Sequence, residues 1–439
     1  MAVAQQAPGK GPRVLLINPV SQRLGWERRF QIPPMALLQV AACTPDPWMV
    51  SLWDETHGSV RVEGGWELVG ITAMTHQADR AYELAGQFRA AGVPVVLGGI
   101  HPTVLPQEAA LHADSVVVGE AEPVWATLLD DLSRGRLAPL YESPEPRGDV
   151  LGIPGPRRDI LEGRPYLTRQ VLQASRGCPY DCPFCTVTPH FGRRFRYRPA
   201  EEILDEVRRL PGEFLLFVDD NLLGDPRRAI PILEGLVPMG KRWVTQTTLH
   251  FAEDPELLAL MRRSGCMGVF AGVEGLSGGL AGLPKLRARL PMAELVRRSQ
   301  EAGILVEVSM IFGLDDQGPE VFEEAVGFVK RCAPSGATFH ILTPYPGTRL
   351  FRQFEEEGRL LHKEWHRYNH SQVVFLPRRM SPGELYAGWV GVRRAAYSWP
   401  SILSRVARNP HHRLANLAYN VFRRAPNVRL DGETASLGP

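Results

Sequence analysis

Three cysteines fall within eight residues, Cys178, Cys182 and Cys185, in the stretch Arg176-Gly177-Cys178-Pro179-Tyr180-Asp181-Cys182-Pro183-Phe184-Cys185. Thiolates are soft ligands that suit iron–sulfur chemistry. Three on one loop hold three irons of a cubane [4Fe-4S] cluster and leave the fourth iron open to a small molecule. A structural zinc site is the alternative, completed as a Cys3His set by His190, five residues past Cys185. Such a clip needs no large fold around it, whereas an open iron needs a shaped chamber. The proline-rich turns between the cysteines argue against simple burial of small apolar thiols. Cys266 and Cys332 lack partner spacing and read as core residues. Arg193, Arg194, Arg196 and Arg198 follow as a basic run that either meets an anionic group or forms a solvated face.

The elements that must position this loop repeat six times. Apolar runs at 168–175, 214–219, 243–248, 268–273, 305–312 and 337–342 predict strands, and helical patterns lie at 200–210, 226–236, 255–264, 292–302, 319–330 and 348–357. Six βα units in succession predict a partial (β/α)6 TIM barrel with its site at the carboxyl ends of the strands. The cysteine loop follows the first strand, Asp219-Asp220-Asn221 close the second, Glu274 the fourth and Gly313 the fifth. Polar residues after an apolar run also cap helices, and Gly313 also fits a plain βα turn. An acid at a barrel strand's carboxyl end, as at Glu274, reads as part of a site.

Ahead of the barrel, strands are predicted at 14–18, 49–54, 68–72, 93–98 and 115–118, with helices at 34–43, 78–91 and 123–132. Short apolar runs joined by helical crossovers predict a doubly wound, flavodoxin-like (Rossmann-type) parallel sheet with a ligand crevice at its carboxyl edge. Thr72, Gly98, Gly99, Gly119 and Glu120 stand at those strand ends. Glycine there admits a bulky ligand against the main chain, although tight turns need it too. The organisation expected is a disordered N-terminus over 1–12, a ligand-binding domain over 13–140, a linker with five prolines over 141–166, the barrel over 167–375, a helical region over 376–428 and a disordered tail over 429–439.

At 439 residues, 44% hydrophobic and 22% charged, the chain is an ordinary α/β sequence and not a disordered one. A net charge of +2 gives no overall attraction to nucleic acid, and none is expected as a partner. No apolar run reaches the roughly 18 residues of a membrane span, and no signal segment is evident, so a cytoplasmic location is expected. The stretch 397–424 mixes Trp, Leu and Ile with Arg and His. It fits either a helical cap over the barrel or a segment in peripheral contact with a membrane.

The C-x3-C-x2-C spacing, its place after the first barrel strand and the number of βα units resemble the radical S-adenosylmethionine (SAM) enzymes. That resemblance implies a [4Fe-4S] cluster on Cys178, Cys182 and Cys185, SAM chelated by the open iron, and reductive cleavage to a 5′-deoxyadenosyl radical. It sets Phe184 beside adenine, brings Asp219, Asp220 and Asn221 to the methionine amino group, Glu274 to the ribose or amino group, and Gly313 to the adenine side. A flavodoxin-like domain before such a barrel resembles the cobalamin-binding subfamily, over about residues 13–403. Segments 68–73, 98–103 and 118–122 are similar to its signatures, so Thr72, Gly98, Gly99, Gly119 and Glu120 would border the nucleotide tail of cobalamin. The D-x-H-x-x-G motif is absent: Asp54-Glu55-Thr56-His57-Gly58 has the wrong spacing, and 18–30 holds no histidine. The likeness therefore implies no protein imidazole on the cobalt, and His76 and His101 read as hydrogen-bonding or surface residues.

The chain resembles the hopanoid methylase-like group. This implies a cobalamin-dependent methyltransferase acting on an unactivated carbon of a small molecule or lipid, supplied with electrons by a donor such as flavodoxin or ferredoxin. A cobalamin-dependent radical cyclase or rearrangement enzyme uses the same residues, and so does a non-catalytic iron–sulfur and corrinoid-binding protein. A methylthiotransferase would need a second cysteine triad, and Cys43 stands alone in 13–140.

Overall fold

Short, β-branched runs flanked by glycine and proline fold as buried parallel strands. In the computed structural model, which describes residues 11–20, 31–62, 65–144, 150, 152–161, 163–274 and 288–428, they form two parallel sheets. The first contains β1 (Arg13–Asn18), β2 (Met49–Asp54), β3 (Leu68–Thr72), β4 (Val95–Gly98), β5 (Ser115–Val118) and β6 (Leu140–Glu142), in the order β2-β1-β3-β4-β5-β6. This is flavodoxin-like winding, with the order reversing between β1 and β3. Alternate residues of β1 serve opposite faces: Leu16 packs with Leu38, Val96 and Trp125, and Leu15 and Ile17 with Leu84, Phe88 and Leu97. The five expected strands are present. β6 is an addition at the edge, in a segment read as the start of the linker. Of its three residues only Tyr141 is buried, which left no apolar run to detect.

The second sheet contains β7 (Val171–Leu172), β10 (Phe214–Phe217), β11 (Arg242–Gln246), β12 (Cys266–Glu274), β13 (Leu305–Phe312) and β14 (Gly336–Ile341), in the order β14-β13-β12-β11-β10-β7. Consecutive parallel neighbours with helical crossovers make an open barrel. Its first strand is shorter than expected. After Leu172 the chain leaves the ladder because Asp219 accepts hydrogen bonds from the backbone of Ala174 and Ser175. Ser175–Arg176 (β8) then pairs antiparallel with Arg196–Tyr197 (β9), enclosing the cysteine loop between them. On β13 and β14, Val306, Val308, Met310, Ala337, Phe339 and Ile341 join the apolar core. Glu307, Thr338 and His340 alternate with them and face the lumen.

The carboxyl edges of the two sheets meet. The Tyr166 hydroxyl donates to Asp54 at 2.9 Å, the Trp365 indole donates to Glu108 at 2.8 Å, His366 Nδ1 lies 2.7 Å from Asp79, and Arg164 donates to the Leu52 carbonyl. Three helices follow the barrel, Pro382–Ala396, Trp399–Arg408 and Arg413–Val428; the first opens with a Ser381/Glu384 capping box. No described helix is long and apolar enough to cross a membrane. The expected disorder falls mostly outside the described residues, as do 145–149 of the linker and 21–30 of the loop after β1.

Candidate cofactor and active site

The cysteine loop sits where β7 meets the first domain. Cys182 is buried, Cys178 and Cys185 are half-buried, and the Cys185 N–H donates to the Cys182 carbonyl at 3.1 Å. Gly177 enters the loop at φ +81°, and a Cβ there would stand 2.4 Å from the Arg194 carbonyl, so only glycine fits. Phe184 packs partly buried against the barrel core. Among the described residues no three His, Cys, Asp or Glu side chains cage a single ion. His190, the fourth ligand in the zinc alternative, turns instead into a pocket of the first domain, with its Nδ1 buried and without a partner. A cubane spreads its three thiolates over separate irons, and this donor set fits it.

The acids at the end of β10 divide the work. Asp219 is buried, and its carboxylate accepts from the Ala174 N–H at 3.1 Å, the Ser175 N–H at 2.5 Å and the Ser175 hydroxyl at 2.6 Å. Where a contact with SAM was expected, Asp219 braces this segment, chiefly through Oδ1, and Oδ2 only shares the Ala174 N–H. Burial still pushes its carboxyl up to about 7. Asn221 is held on one side only: its Oδ1 accepts from the Thr247 hydroxyl at 2.8 Å and the Thr248 N–H at 3.2 Å, while its Nδ2 is buried with no partner. Asp220 differs. It faces the Gly177 N–H, one oxygen is buried with no partner, and burial raises its pKa to about 6. An unsatisfied carboxylate oxygen beside the cysteine loop is what a ligand's ammonium would complete.

Glu274 ends β12 in the left-handed region at φ 48°, where the register with β13 shifts. Such a conformation in a non-glycine residue costs on the order of 1–3 kcal/mol and persists where the surroundings impose it. Gly313 has φ +100°, its N–H donates to Gln317, and a Cβ would stand 2.9 Å from Leu385 and Phe375. Of the two readings of Gly313, this packing against the first C-terminal helix favours the turn.

At the β1/β3 reversal a cavity opens, lined by Leu16, Gly70, Thr72, Gly98, Gly119 and Trp125 among others. A Cβ on Gly98 would find nothing nearer than Val117 at 3.8 Å, and Gly99, at φ +96°, bends the chain close against Thr72. The bare backbone is a cradle for a flat, bulky group. Glu120 lines it too, but its carboxylate is engaged by Arg176 at 2.7 Å and by Arg196. Arg176 also pairs with Glu122. Burial would raise the Glu120 pKa, and the hydrogen bond from Arg196 with the charge of Arg176 more than offsets that and lowers it. Arg198 is likewise paired, with Glu206 at 2.8 Å, so this part of the basic run is interior and not a solvated face. His190 and Phe191, from the barrel, complete the pocket wall.

A second group of side chains was not anticipated as a cluster. His340 on β14, Tyr345 after it and His370 converge, with ring centroids 5.1 Å apart for His340–His370 and 5.2 Å for Tyr345–His370, and His76 beyond β3 is close enough to act on His370. His76, His340 and Tyr345 are partly buried and His370 is exposed, where the segment after β3 packs on the segment around Trp365. Among the described residues nothing hydrogen-bonds to the rings of His76 and His340 or to the Tyr345 hydroxyl. Desolvation by these packed segments pushes His340 down to about 3, with His370 adding to the effect, and pushes His76 and His370 down to about 4. The legible signal was Thr338 and His340 at alternate positions of an otherwise apolar strand.

An open barrel with a three-cysteine loop, joined edge to edge with a flavodoxin-like domain, defines an enzyme class that holds two cofactors in adjoining crevices. The family model described as Radical SAM superfamily matches residues 172–329, the B12 binding domain matches 29–129, and a domain of unknown function (DUF4070) matches 348–428. The chain is 30% identical over 390 residues to bacteriochlorophyllide d C-12(1)-methyltransferase of Chlorobaculum tepidum, covering 86% of this chain and 85% of that one. It is 30% identical over 393 residues to hopanoid C-2 methylase of Rhodopseudomonas palustris, covering 85% and 73%. The radical SAM methyltransferase TsrM of Kitasatospora setae, solved with cobalamin and a [4Fe-4S] cluster, shares the fold at TM-score 0.65 and 19% identity, with 87% and 88% covered. The chain belongs to the cobalamin-binding radical SAM enzymes, in the hopanoid methylase-like group. Its cofactors are a [4Fe-4S] cluster, SAM and cobalamin.

Proposed function

We propose that this protein transfers a methyl group to an unactivated carbon of a small molecule or lipid. The observation that carries this reading is the meeting of the two carboxyl edges. The glycine-lined crevice of the first domain and the cysteine loop of the second are joined through the Arg176–Glu120 pair. When bound, the cluster supplies the electron that cleaves SAM to the hydrogen-abstracting radical, and cobalamin carries the methyl group.

The chain's own residues hold and shield these groups. Cys178, Cys182 and Cys185 would ligate the cluster, Phe184 would flank adenine, Asp220 would accept from the methionine ammonium through its open oxygen, and Glu274 would meet the ribose or the amino group. Thr72, Gly98, Gly99 and Gly119 border the corrinoid nucleotide. His76, His340, Tyr345 and His370 would face a cleft between the two, where the acceptor would lie, and offer it neutral hydrogen-bonding groups. A reduced flavodoxin or ferredoxin in a reducing, cytoplasmic setting would deliver the electron.

The test is anaerobic reconstitution, with iron, corrinoid and product analysis after incubation with methyl-labelled SAM and dithionite. Methyl transfer predicts S-adenosylhomocysteine beside 5′-deoxyadenosine and label moving to the corrinoid and then to an acceptor. A cyclase would give 5′-deoxyadenosine alone, and a non-catalytic carrier would give neither.

A further inference from the structure

The last two helices bury several polar residues and expose several apolar ones. Beside Ile402, Val406 and Leu417, which pack on the barrel core, their barrel-facing side carries many polar residues: Arg405, Asn409, Asn416, Asn420 and Asn427 are each at most 4% exposed. They are held by hydrogen bonds from Arg405 to the Ala396 carbonyl at 2.9 Å, from Asn409 to the Ser335 hydroxyl at 3.0 Å, from Asn420 to the Ser335 carbonyl at 2.8 Å, and from Arg393 to Asn427 at 2.8 Å. The solvent side is apolar. Trp399, Leu403 and Ala407 recur at helical spacing on the first helix, and Leu414, Ala418, Val421 and Ala425 on the second. Leu414 is 84% exposed, Leu403 56%, Trp399 45% and Val421 44%.

Packing on the barrel uses Ile402, Val406 and Leu417, and it leaves this second apolar stripe uncovered among the described residues. The helices run antiparallel through the short 409–412 link, and the Arg424 guanidinium lies 4.9 Å over the Trp399 ring. That contact sets the start of one stripe against the end of the other and joins them into one apolar face. Residues 391–428 contain seven arginines and no aspartate or glutamate, so the hairpin itself is cationic, although Arg393 and Arg405 are buried and Arg423 is paired with Glu307. Arg394, Arg408 and Arg413 are exposed at its rim. A second copy docked face to face would bring these cations together with no acid of the hairpin to pair them. An anionic bilayer satisfies both the apolar face and the charge.

We propose that the hairpin 399–428 docks this protein on the surface of an anionic lipid bilayer, with Trp399, Leu403, Leu414 and Val421 entering the acyl boundary. This holds whether or not the acceptor is a lipid, and it does not rest on methyl transfer.

The test is co-sedimentation of the cofactor-loaded protein with vesicles of phosphatidylglycerol and phosphatidylcholine, and with phosphatidylcholine alone. The double variant Leu403→Glu/Leu414→Glu changes two exposed side chains, and its fold is checked by circular dichroism and corrinoid content. The wild type is expected to sediment with the anionic vesicles and less so as salt rises, and the variant to bind at least ~10-fold more weakly. Wild-type protein left in the supernatant, or equal binding by the variant, overturns the proposal. So does a wild-type dimer in analytical ultracentrifugation that the variant splits, which would make the face a contact between copies.

Discussion

The Arg176 guanidinium lies 2.7 Å from the Glu120 carboxylate, so the residue two before the first cysteine of the cluster loop is tied to the turn after β5. Arg196, on the strand paired with Arg176, shares the same carboxylate, and all three side chains are less than a tenth exposed. A buried pair of this kind adds little net stability, but removing one partner strands the other charges. Glu120→Ala would leave Arg196 without its carboxylate and Arg176 with Glu122 alone. The expected loss is about 3–5 kcal/mol in chemical denaturation, with fewer corrinoids retained per chain. Full corrinoid occupancy and unchanged stability would show that the pair does not couple the domains.

The neighbours Asp219 and Asp220 are expected to respond in opposite ways. Asp219→Ala strands the Ala174 and Ser175 N–H groups and the Ser175 hydroxyl, at about 1–3 kcal/mol for each buried donor left unpaired, so the protein should be markedly less stable. Asp220→Asn removes a carboxylate that is desolvated and half-satisfied, so stability should hold. SAM affinity, read by equilibrium dialysis, should fall on the order of 10-fold, as befits one charge-assisted hydrogen bond. Equal effects on stability would refute this division of roles.

Much of this was legible because its signal is local. The cysteine spacing, the glycines at β4 and β5 and the apolar runs of both sheets stand in the sequence as contiguous patterns. What was not legible depends on partners far along the chain. Asp219 and Asp220 are adjacent and alike in sequence, and only the path of 174–177 past them decides which carboxylate is filled. Glu120 sits in a signature segment, yet its oxygens meet arginines 56 and 76 residues away. His340 and His370 lie on separate elements, with no spacing to betray their contact. For the C-terminal hairpin the sequence left a helical cap and a membrane-contacting segment both open, because periodicity reveals two faces of a helix but not which one meets the barrel.

Cys182→Ala is expected to keep the far-ultraviolet circular dichroism of the wild type, because the residue belongs to a loop and not to the strand ladder. It should lose most of the roughly four irons per chain, together with dithionite-dependent 5′-deoxyadenosine formation. Retained cleavage of SAM in this variant would remove the cluster from the thiol set proposed for it.

The imidazoles of the cleft give a pH dependence of definite sign. Desolvation holds His340 at about 3 and His370 at about 4, against 6.5 for the unperturbed ring. Below about pH 6.5 the unfolded chain therefore takes up protons that the folded protein refuses, and stability falls as the pH drops through the window from about 6.5 toward about 4. Asp219, held at about 7, acts in the opposite sense over much of the same range, so the wild-type curve alone does not isolate the rings. The difference between the wild type and His340→Phe/His370→Phe does. In urea denaturation the double variant should lose less stability than the wild type between about pH 7 and about pH 5. If these side chains also contact the acceptor, the same variant should leave cleavage of SAM without acceptor unchanged and weaken methyl transfer to it. Parallel urea curves for the two proteins across that window would mean that the rings are solvated in the folded state and that the cleft is wetter than their packing implies.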